Sequence, residues 1–401
     1  MANLIKRPIY WRQLKDYINK PVIKVITGLR RSGKSYLMQQ VIAELKAKHK
    51  VKATDIIYIN KELLKFDAIR DYRDLDTYIK SKSTKAKQKY LFVDEVQEIS
   101  EWEKTLRSYL AKGGWDIYIT GSNATLLSSE LATFLTGRYI EIRVLPLSYA
   151  EFLQFRNAEH SKEEFANYLR YGGMPALHQY PLTEEALYPL LDAMLDTILL
   201  KDVVARHELR NNISSFKTIV KFAFDNIAST FSAKRLADYL KSQRINMGVA
   251  TVQNYLAFLR AAYLIDQVQR YDIKGKKHLE IHEKYYIADL GLRHALLGYR
   301  EDDIPDYLEN IVYQELRRRG YEVSIGKLNG YEVDFIATKA GRKLYVQVTY
   351  LLASKEVRER EFRPLFEIED NYPKLVLSLD ELPRSEQEGV ESLNLVEWLL
   401  D

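Results

Sequence analysis

Residues 28–35 read GLRRSGKS. Glycines spaced by four residues, then a lysine and a hydroxyl, are what a backbone needs to wrap an anion. Gly28 and Gly33 let the chain turn with its N–H groups facing inward, and a helix starting at the loop adds its positive end. Lys34 is then placed for the β- and γ-phosphates of a nucleotide, and the Ser35 hydroxyl for Mg²⁺. Leu29, Arg30, Arg31, Ser32 and Tyr36 belong to the same nucleotide-binding stretch. The chemistry leaves Arg30 and Arg31 a free choice of residue type. Two readings fit them: pairing with carboxylates of the following domains when nucleotide is present, and a solvated loop apex.

A metal-assisted hydrolysis needs carboxylates, and the stretch KYLFVDEVQEIS (89–100) supplies them. An apolar run ends in Asp94, placed to hold Mg²⁺ through water, and Glu95, placed to orient and polarise an attacking water. A third apolar run, in WDIYITGSNATLL (115–127), ends in Ser122 and Asn123. These short polar side chains suit the γ-phosphate or the attacking water, and equally suit a helix N-cap. Arg138, in LTGRYIEIRV, precedes a fourth run. It fits either an arginine finger acting on a neighbouring subunit or a surface arginine paired with a carboxylate.

These residues must be held by regular elements. PVIKVIT, before the loop, is a β-branched run typical of a buried strand. After it, Leu37, Met38, Val41, Ile42 and Leu45 recur at helical spacing. The loop therefore joins a strand to a helix, the context a phosphate loop requires. The chain of 401 residues is long enough for two or three domains, and 46% hydrophobic with 29% charged residues fits a globular protein. No apolar run reaches membrane-span length, and the first twenty residues lack a secretory pattern. There is no cysteine, which excludes disulfides and thiolate chemistry. A cytoplasmic protein without membrane contact is expected. The seven histidines lack metal-ligand spacing, so no zinc site is expected.

Taken in order, GLRRSGKS, LFVDEVQEISEWEKTLRSYL, ITGSNATLL, LTGRY, LPLSYAEFL and YLRYGGMPAL resemble the AAA-type ATPases of bacteria and archaea of the AAA_14/DUF4143 type. The resemblance covers nearly the whole chain. It implies a RecA/AAA-like core, a metal and water site at Asp94 and Glu95, a sensor near Ser122–Asn123, and ATP rather than GTP. It also implies a small helical lid beginning near Leu147 and passing through YGGMPAL, whose glycines fit either a hinge or a simple helix end.

Beyond the lid, residues 213–300 hold fourteen Lys and Arg against seven Asp and Glu. Three helix-spaced segments, then two strand-like runs joined by KGKK, resemble a winged helix-turn-helix with Lys274, Lys276 and Lys277 at the wing tip. Only Thr251, Gln253 and Asn254 are polar readers on the third helix, so DNA contact and protein docking both fit. Residues 305–350 resemble a restriction-endonuclease-like core. Glu309 and Asp334 take the places of the first two carboxylates, but Gln347 and Thr349 stand where a glutamate and a lysine belong. Cleavage is therefore not expected.

The expected fold is α/β: a P-loop (AAA/RecA-like) parallel sheet core over 1–146, a helical lid over 147–212, a winged helix-turn-helix over 213–300, and a degenerate endonuclease-like domain over 301–401. The expected activity is Mg²⁺-dependent ATP hydrolysis, with DNA, a protein partner or further copies of the chain as partners. The alternative is a slow nucleotide-controlled switch that docks a protein.

Overall fold

The structure is a computed structural model. It describes residues 5–124, 137–209, 213–381 and 384–401, without the side chains of 280–282. The chain forms two compact units: residues up to Pro146 with Ala261–Tyr263, and Leu147–Arg260 with Leu264–Asp401.

In the first unit, five strands form one parallel sheet: β1 (Ile23–Thr27), β2 (Ile56–Asn60), β3 (Lys89–Asp94), β4 (Trp115–Gly121) and β5 (Tyr139–Arg143). Their spatial order is β2-β3-β4-β1-β5. Alternation along the strands sorts the side chains to two faces. Ile23, Val25, Leu91, Val93, Ile117 and Ile119 share one core with residues of α3 (Tyr72–Lys82) and α4 (Trp102–Lys112). Ile26, Tyr90, Phe92 and Tyr118 share the other with residues of α1 (Pro8–Leu14) and α2 (Lys34–Ala47). The result is a three-layer α/β/α unit, and its central strands β1, β3 and β4 are mostly apolar because both faces are covered. Lys24 is the exception inside β1. It is fully buried and paired with the equally buried Asp116 of β4. Burial pushes the Lys24 amine down, and Asp116 offsets this.

In the second unit, α5 (Tyr149–Arg156), α6 (Lys162–Tyr171) and α7 (Glu184–Thr197) precede α8 (Ile213–Asp225), α9 (Ala233–Ser242) and α10 (Val249–Ala261). A nine-stranded mixed sheet follows. It includes β6 (Thr230–Phe231), β7 (Ile265–Asp272), β8 (Lys277–Ile287), β9 (Glu322–Leu328), β10 (Tyr331–Lys339), β11 (Arg342–Val348) and β12 (Lys374–Ser378). The helix α11 (Leu290–Leu297) packs on α6 and α7, while α12 (Ile304–Arg318) lies on β8–β11 and α13 (Lys355–Phe366) on β10–β12. The strand pair β7–β8 is the ribbon expected as a wing. It does not stand alone: β7 pairs in parallel with β9, so one sheet runs across position 300. Period-2 patterning identifies strands but not which edges meet.

The GGMP stretch is a packing joint. Gly172 ends α6 at φ 74°, and a Cβ there would lie 2.3 Å from Asp289 Oδ1. The Gly173 N–H donates to Asp289 Oδ2 (2.7 Å), and its carbonyl accepts from the Leu147 N–H (2.7 Å).

Candidate nucleotide site

The site lies where β1, β3 and β4 end. All three run in one direction, so their carboxyl ends share one edge of the sheet, where α/β sheets bind ligands. The loop after β1 closes through a left-handed Gly33 (φ 103°), and α2 starts at Lys34. Gly28 is required sterically as well as conformationally. At φ 134°, a Cβ would sit 2.2 Å from the Val144 carbonyl oxygen. Lys34 is buried, its Nζ donating to the carbonyls of Gly28 (3.0 Å) and Leu29 (2.9 Å). Leu29 is buried and Tyr36 exposed. Ser35 begins the first turn of α2 at intermediate exposure.

Arg30 and Arg31 part company. Arg31 is exposed, in a left-handed conformation (φ 66°). Arg30 turns inward to Glu62 (3.2 Å), just beyond β2, and to Glu95 Oε2 (3.9 Å). Arg30 thus pairs with carboxylates of its own core, a partner choice the sequence reading did not contain.

Asp94 and Glu95 are both buried. Asp94 Oδ1 accepts from Thr120 Oγ1 (2.5 Å), and Oδ2 accepts from the Tyr58 hydroxyl (3.1 Å). Burial and then the Asp94 charge push Tyr58 up to about 12, so it stays a donor. Glu95 adopts a left-handed backbone (φ 55°), and its N–H donates to Thr120 Oγ1 (2.9 Å). Glu95 Oε2 accepts from Ser122 Oγ (3.2 Å) and from Gln97 Nε2. Ser122 and Asn123 are both fully buried. The Ser122 contact ties the end of β4 to Glu95, while the residues that a helix capped by Ser122 or Asn123 would occupy, from 125 onward, lie outside the described ones.

Arg138 lies elsewhere. Tyr139 is in register with Ile23, and the Arg138 carbonyl accepts from the Ile23 N–H. Arg138 is therefore at the amino end of the strands, about 15–20 Å along them from the loop, and it is exposed. The chain's own fold does not bring it to its own phosphate loop.

Sequence reasoning missed the brace behind the loop. Arg7 is buried, donating to the carbonyls of Ser32 (2.9 Å), Leu145 (2.9 Å) and Pro146 (3.3 Å). The Tyr10 hydroxyl accepts from the Leu145 N–H (2.9 Å). No local pattern marks Arg7. Thr120 and Tyr58 carried a faint signal, as polar residues inside strands that end at the site.

No nucleotide or metal ion is part of the structure, and the residues present fit both. The Ser32 Oγ is buried with no hydrogen-bond partner among the described residues, in a loop whose backbone needs glycine at 28. Ser35 and Asp94 offer the hard oxygen donors Mg²⁺ prefers.

In the second unit, the endonuclease-like residues meet, joined by one not foreseen. Glu309 of α12 accepts from Lys284 Nζ (2.9 Å) and from the Tyr286 hydroxyl (2.6 Å), both on β8. Lys284 also pairs with Glu332 (2.7 Å). Asp334 sits at the irregularity in β10 and accepts from the Val348 N–H (2.8 Å). Gln347 bridges the Asp334 N–H (3.2 Å) and Glu361 (3.0 Å). Burial pushes the Asp334 carboxyl well up, reinforced by Glu309. Burial opposes the Lys284 charge, but Glu309, Asp334 and Glu332 outweigh it and hold its amine above the ordinary lysine range. The lysine absent at Thr349 thus has a charged counterpart from another strand.

Of the basic surplus in 213–300, Lys284 and Arg293 are buried, the latter paired with Asp303 (2.5 Å). Lys274, Lys276 and Lys277 are exposed at the β7–β8 turn, and Thr251, Gln253 and Asn254 are exposed on α10. Among the described residues, no helix is long and apolar enough to cross a membrane.

Comparison with known proteins agrees with the first unit. Residues 20–153 match the AAA domain. Residues 162–303 match a different domain of unknown function, DUF8612, in place of the DUF4143 that the resemblance implied. An uncharacterized protein of Haemophilus influenzae is 36% identical over 99% of both chains. The uncharacterized protein MJ1544 of Methanocaldococcus jannaschii is 34% identical over 90% of this chain and 81% of its own. A Walker-type ATPase of Pyrococcus abyssi matches at 16% identity and a TM-score of 0.44, over 73% of this chain and 95% of its own. The chain therefore belongs to the family of these Haemophilus and Methanocaldococcus proteins, with a P-loop AAA domain over residues 20–153.

Proposed function

We propose that the chain binds ATP with Mg²⁺, hydrolyses it, and couples nucleotide state to contact with a nucleic acid. The observation that carries the hydrolytic reading is one sheet edge. It gathers an anion loop with a buried lysine, a buried Asp-Glu pair, and a serine that bonds the glutamate. Lys34 would release the Gly28 and Leu29 carbonyls to take up phosphate oxygens. Ser35 and Asp94 would hold Mg²⁺, which when bound supplies neutralisation of the phosphate charge. Glu95 would orient and accept a proton from the attacking water. Asn123 would contact the γ-phosphate side. Arg138, at the far end of the strands, would serve only a neighbouring subunit's site, which requires an oligomer.

The test is direct. Lys34→Ala abolishes ATP binding measured by titration. Glu95→Gln retains ATP binding and reduces steady-state hydrolysis by about a hundredfold or more, the scale of a lost general base. Normal turnover in Glu95→Gln would remove the water-activating assignment.

The nucleic-acid part rests on the exposed lysines of the β7–β8 turn and on α10, which with α8, α9 and the β7–β8 ribbon form the elements of a winged helix. A second reading, a slow nucleotide-controlled switch docking a protein, is favoured by the burial of Lys284 and Arg293, which removes part of the basic surplus from the surface. DNA binding at low salt that weakens steeply at high salt, with DNA-stimulated hydrolysis, supports the first reading. Slow hydrolysis indifferent to DNA, with no binding at low salt, supports the second. The acidic cluster is proposed to be non-cleaving, because Gln347 removes one carboxylate ligand and the Lys284 ammonium pairs with Glu309 and Glu332.

A further inference from the structure

The inward turn of Arg30 has a consequence for the timing of hydrolysis. In a loop whose phosphate chemistry is backbone N–H groups and Lys34, position 30 adds a guanidinium that meets Glu62 and Glu95. Its side chain is only 12% exposed and that of Glu95 8%, whereas that of Glu62 is 61% exposed. The inner contact is thus the one least screened by water. The same oxygen, Glu95 Oε2, also accepts from Ser122 and Gln97. Two hydrogen bonds, with the Arg30 guanidinium 3.9 Å away, thus hold Glu95 Oε2 in place.

We propose that Arg30 is a positioning residue that tethers Glu95 in the nucleotide-free state and is drawn off it by the triphosphate. A triphosphate carries several negative charges on the loop that bears Arg30, against one on Glu95. Coulomb attraction therefore moves the guanidinium toward the phosphates as ATP binds. Glu95 is then freed to face a water in a share of the nucleotide-bound molecules, set by the competition of triphosphate, Glu62 and Glu95 for Arg30. Glu62 is the outer competitor: it shares Arg30 and weakens the hold on Glu95. This inference rests on the reading of Glu95 as the residue that activates water.

The two carboxylates give the idea a signature of opposite signs. Arg30→Ala raises turnover at saturating ATP by about two- to fivefold, the range of a partly exposed ion pair. Glu62→Gln gives Arg30 wholly to Glu95 and lowers turnover by about twofold. Glu62→Gln keeps the ATP dissociation constant within about threefold, whereas Arg30→Ala weakens ATP binding because the guanidinium drawn to the triphosphate is gone. In the doubly substituted chain the Glu62 effect disappears, because its carrier is gone. Turnover that falls in Arg30→Ala, or that is unchanged in both variants, overturns the tether. Glu62 is exposed and its substitution leaves the fold intact, so Glu62→Gln decides the matter even if Arg30→Ala unfolds. Glu95→Gln is measured alongside. If it hydrolyses ATP normally, the parent reading has failed. If it is inactive while the other two lack opposite signs, the tether alone has failed.

Discussion

Asp289 is a residue whose ionisation the fold plainly disturbs. Burial pushes its carboxyl up to about 6, even though the N–H groups of Gly173, Leu292 and Gly291 hold it back. A carboxyl with a folded value above its unfolded value binds a proton more tightly when folded. Its contribution to stability is therefore fully present below about pH 4 and is lost as pH rises toward 6, on the order of 2–3 kcal/mol for a shift of this size. Unfolding by denaturant across pH 4–7 should show wild type losing stability relative to Asp289→Asn, with the difference levelling off above about pH 6. Parallel curves would mean that Asp289 titrates normally. Around it, Gly172 and Gly173 leave room for no side chain, which is why two glycines stand together there. A hinge is not needed to account for them.

At the scale of elements, α1 matters more than its seven residues suggest. It begins just after Arg7, which joins the phosphate loop at Ser32 to the chain beyond β5 at Leu145 and Pro146. A buried guanidinium satisfying three carbonyls is costly to remove, because those acceptors are left without donors. Arg7→Ala should destabilise the first unit by about 2–4 kcal/mol and weaken ATP binding several-fold, although Arg7 is no part of the phosphate cradle. Thermal unfolding with and without nucleotide measures both. Unchanged affinity in a folded Arg7→Ala protein would show that the loop holds its shape alone. The helix α2, by contrast, was legible residue by residue, since Leu37, Met38, Val41, Ile42 and Leu45 are all buried at the spacing read from the sequence.

At the scale of the whole molecule, the second unit is closed around a charged knot. Lys284 on β8 meets Glu309 on α12 and Glu332 on β10, so ribbon, helix and hairpin share one amine. Removing it leaves the buried Asp334 and the part-buried Glu309 without their shared counter-charge, which costs about 3–5 kcal/mol. Lys284→Met should lower the unfolding temperature of the second unit. Pairing it with Glu309→Gln should recover part of the loss. Mg²⁺-dependent nicking of plasmid DNA by the intact chain, abolished by Asp334→Ala, would show instead that the knot opens to admit a metal.

The sequence by itself determined which residues form the first unit's candidate site. Glycine spacing, a lysine and hydroxyl, and polar residues ending apolar strands are local patterns, and backbone geometry acts locally. Parallel strands then bring those ends together whatever the lengths of the connections. What only the tertiary structure decided were the partners of charged residues: Arg30 with Glu62 and Glu95, Arg7 with three carbonyls, Lys284 with the carboxylates of another strand and helix. The same holds for the merging of the β7–β8 ribbon into the larger sheet and for the distance of Arg138 from the loop. Long side chains and sheet edges accept any complementary group within reach, so their partners follow from packing between segments far apart in the chain, which no local spacing encodes.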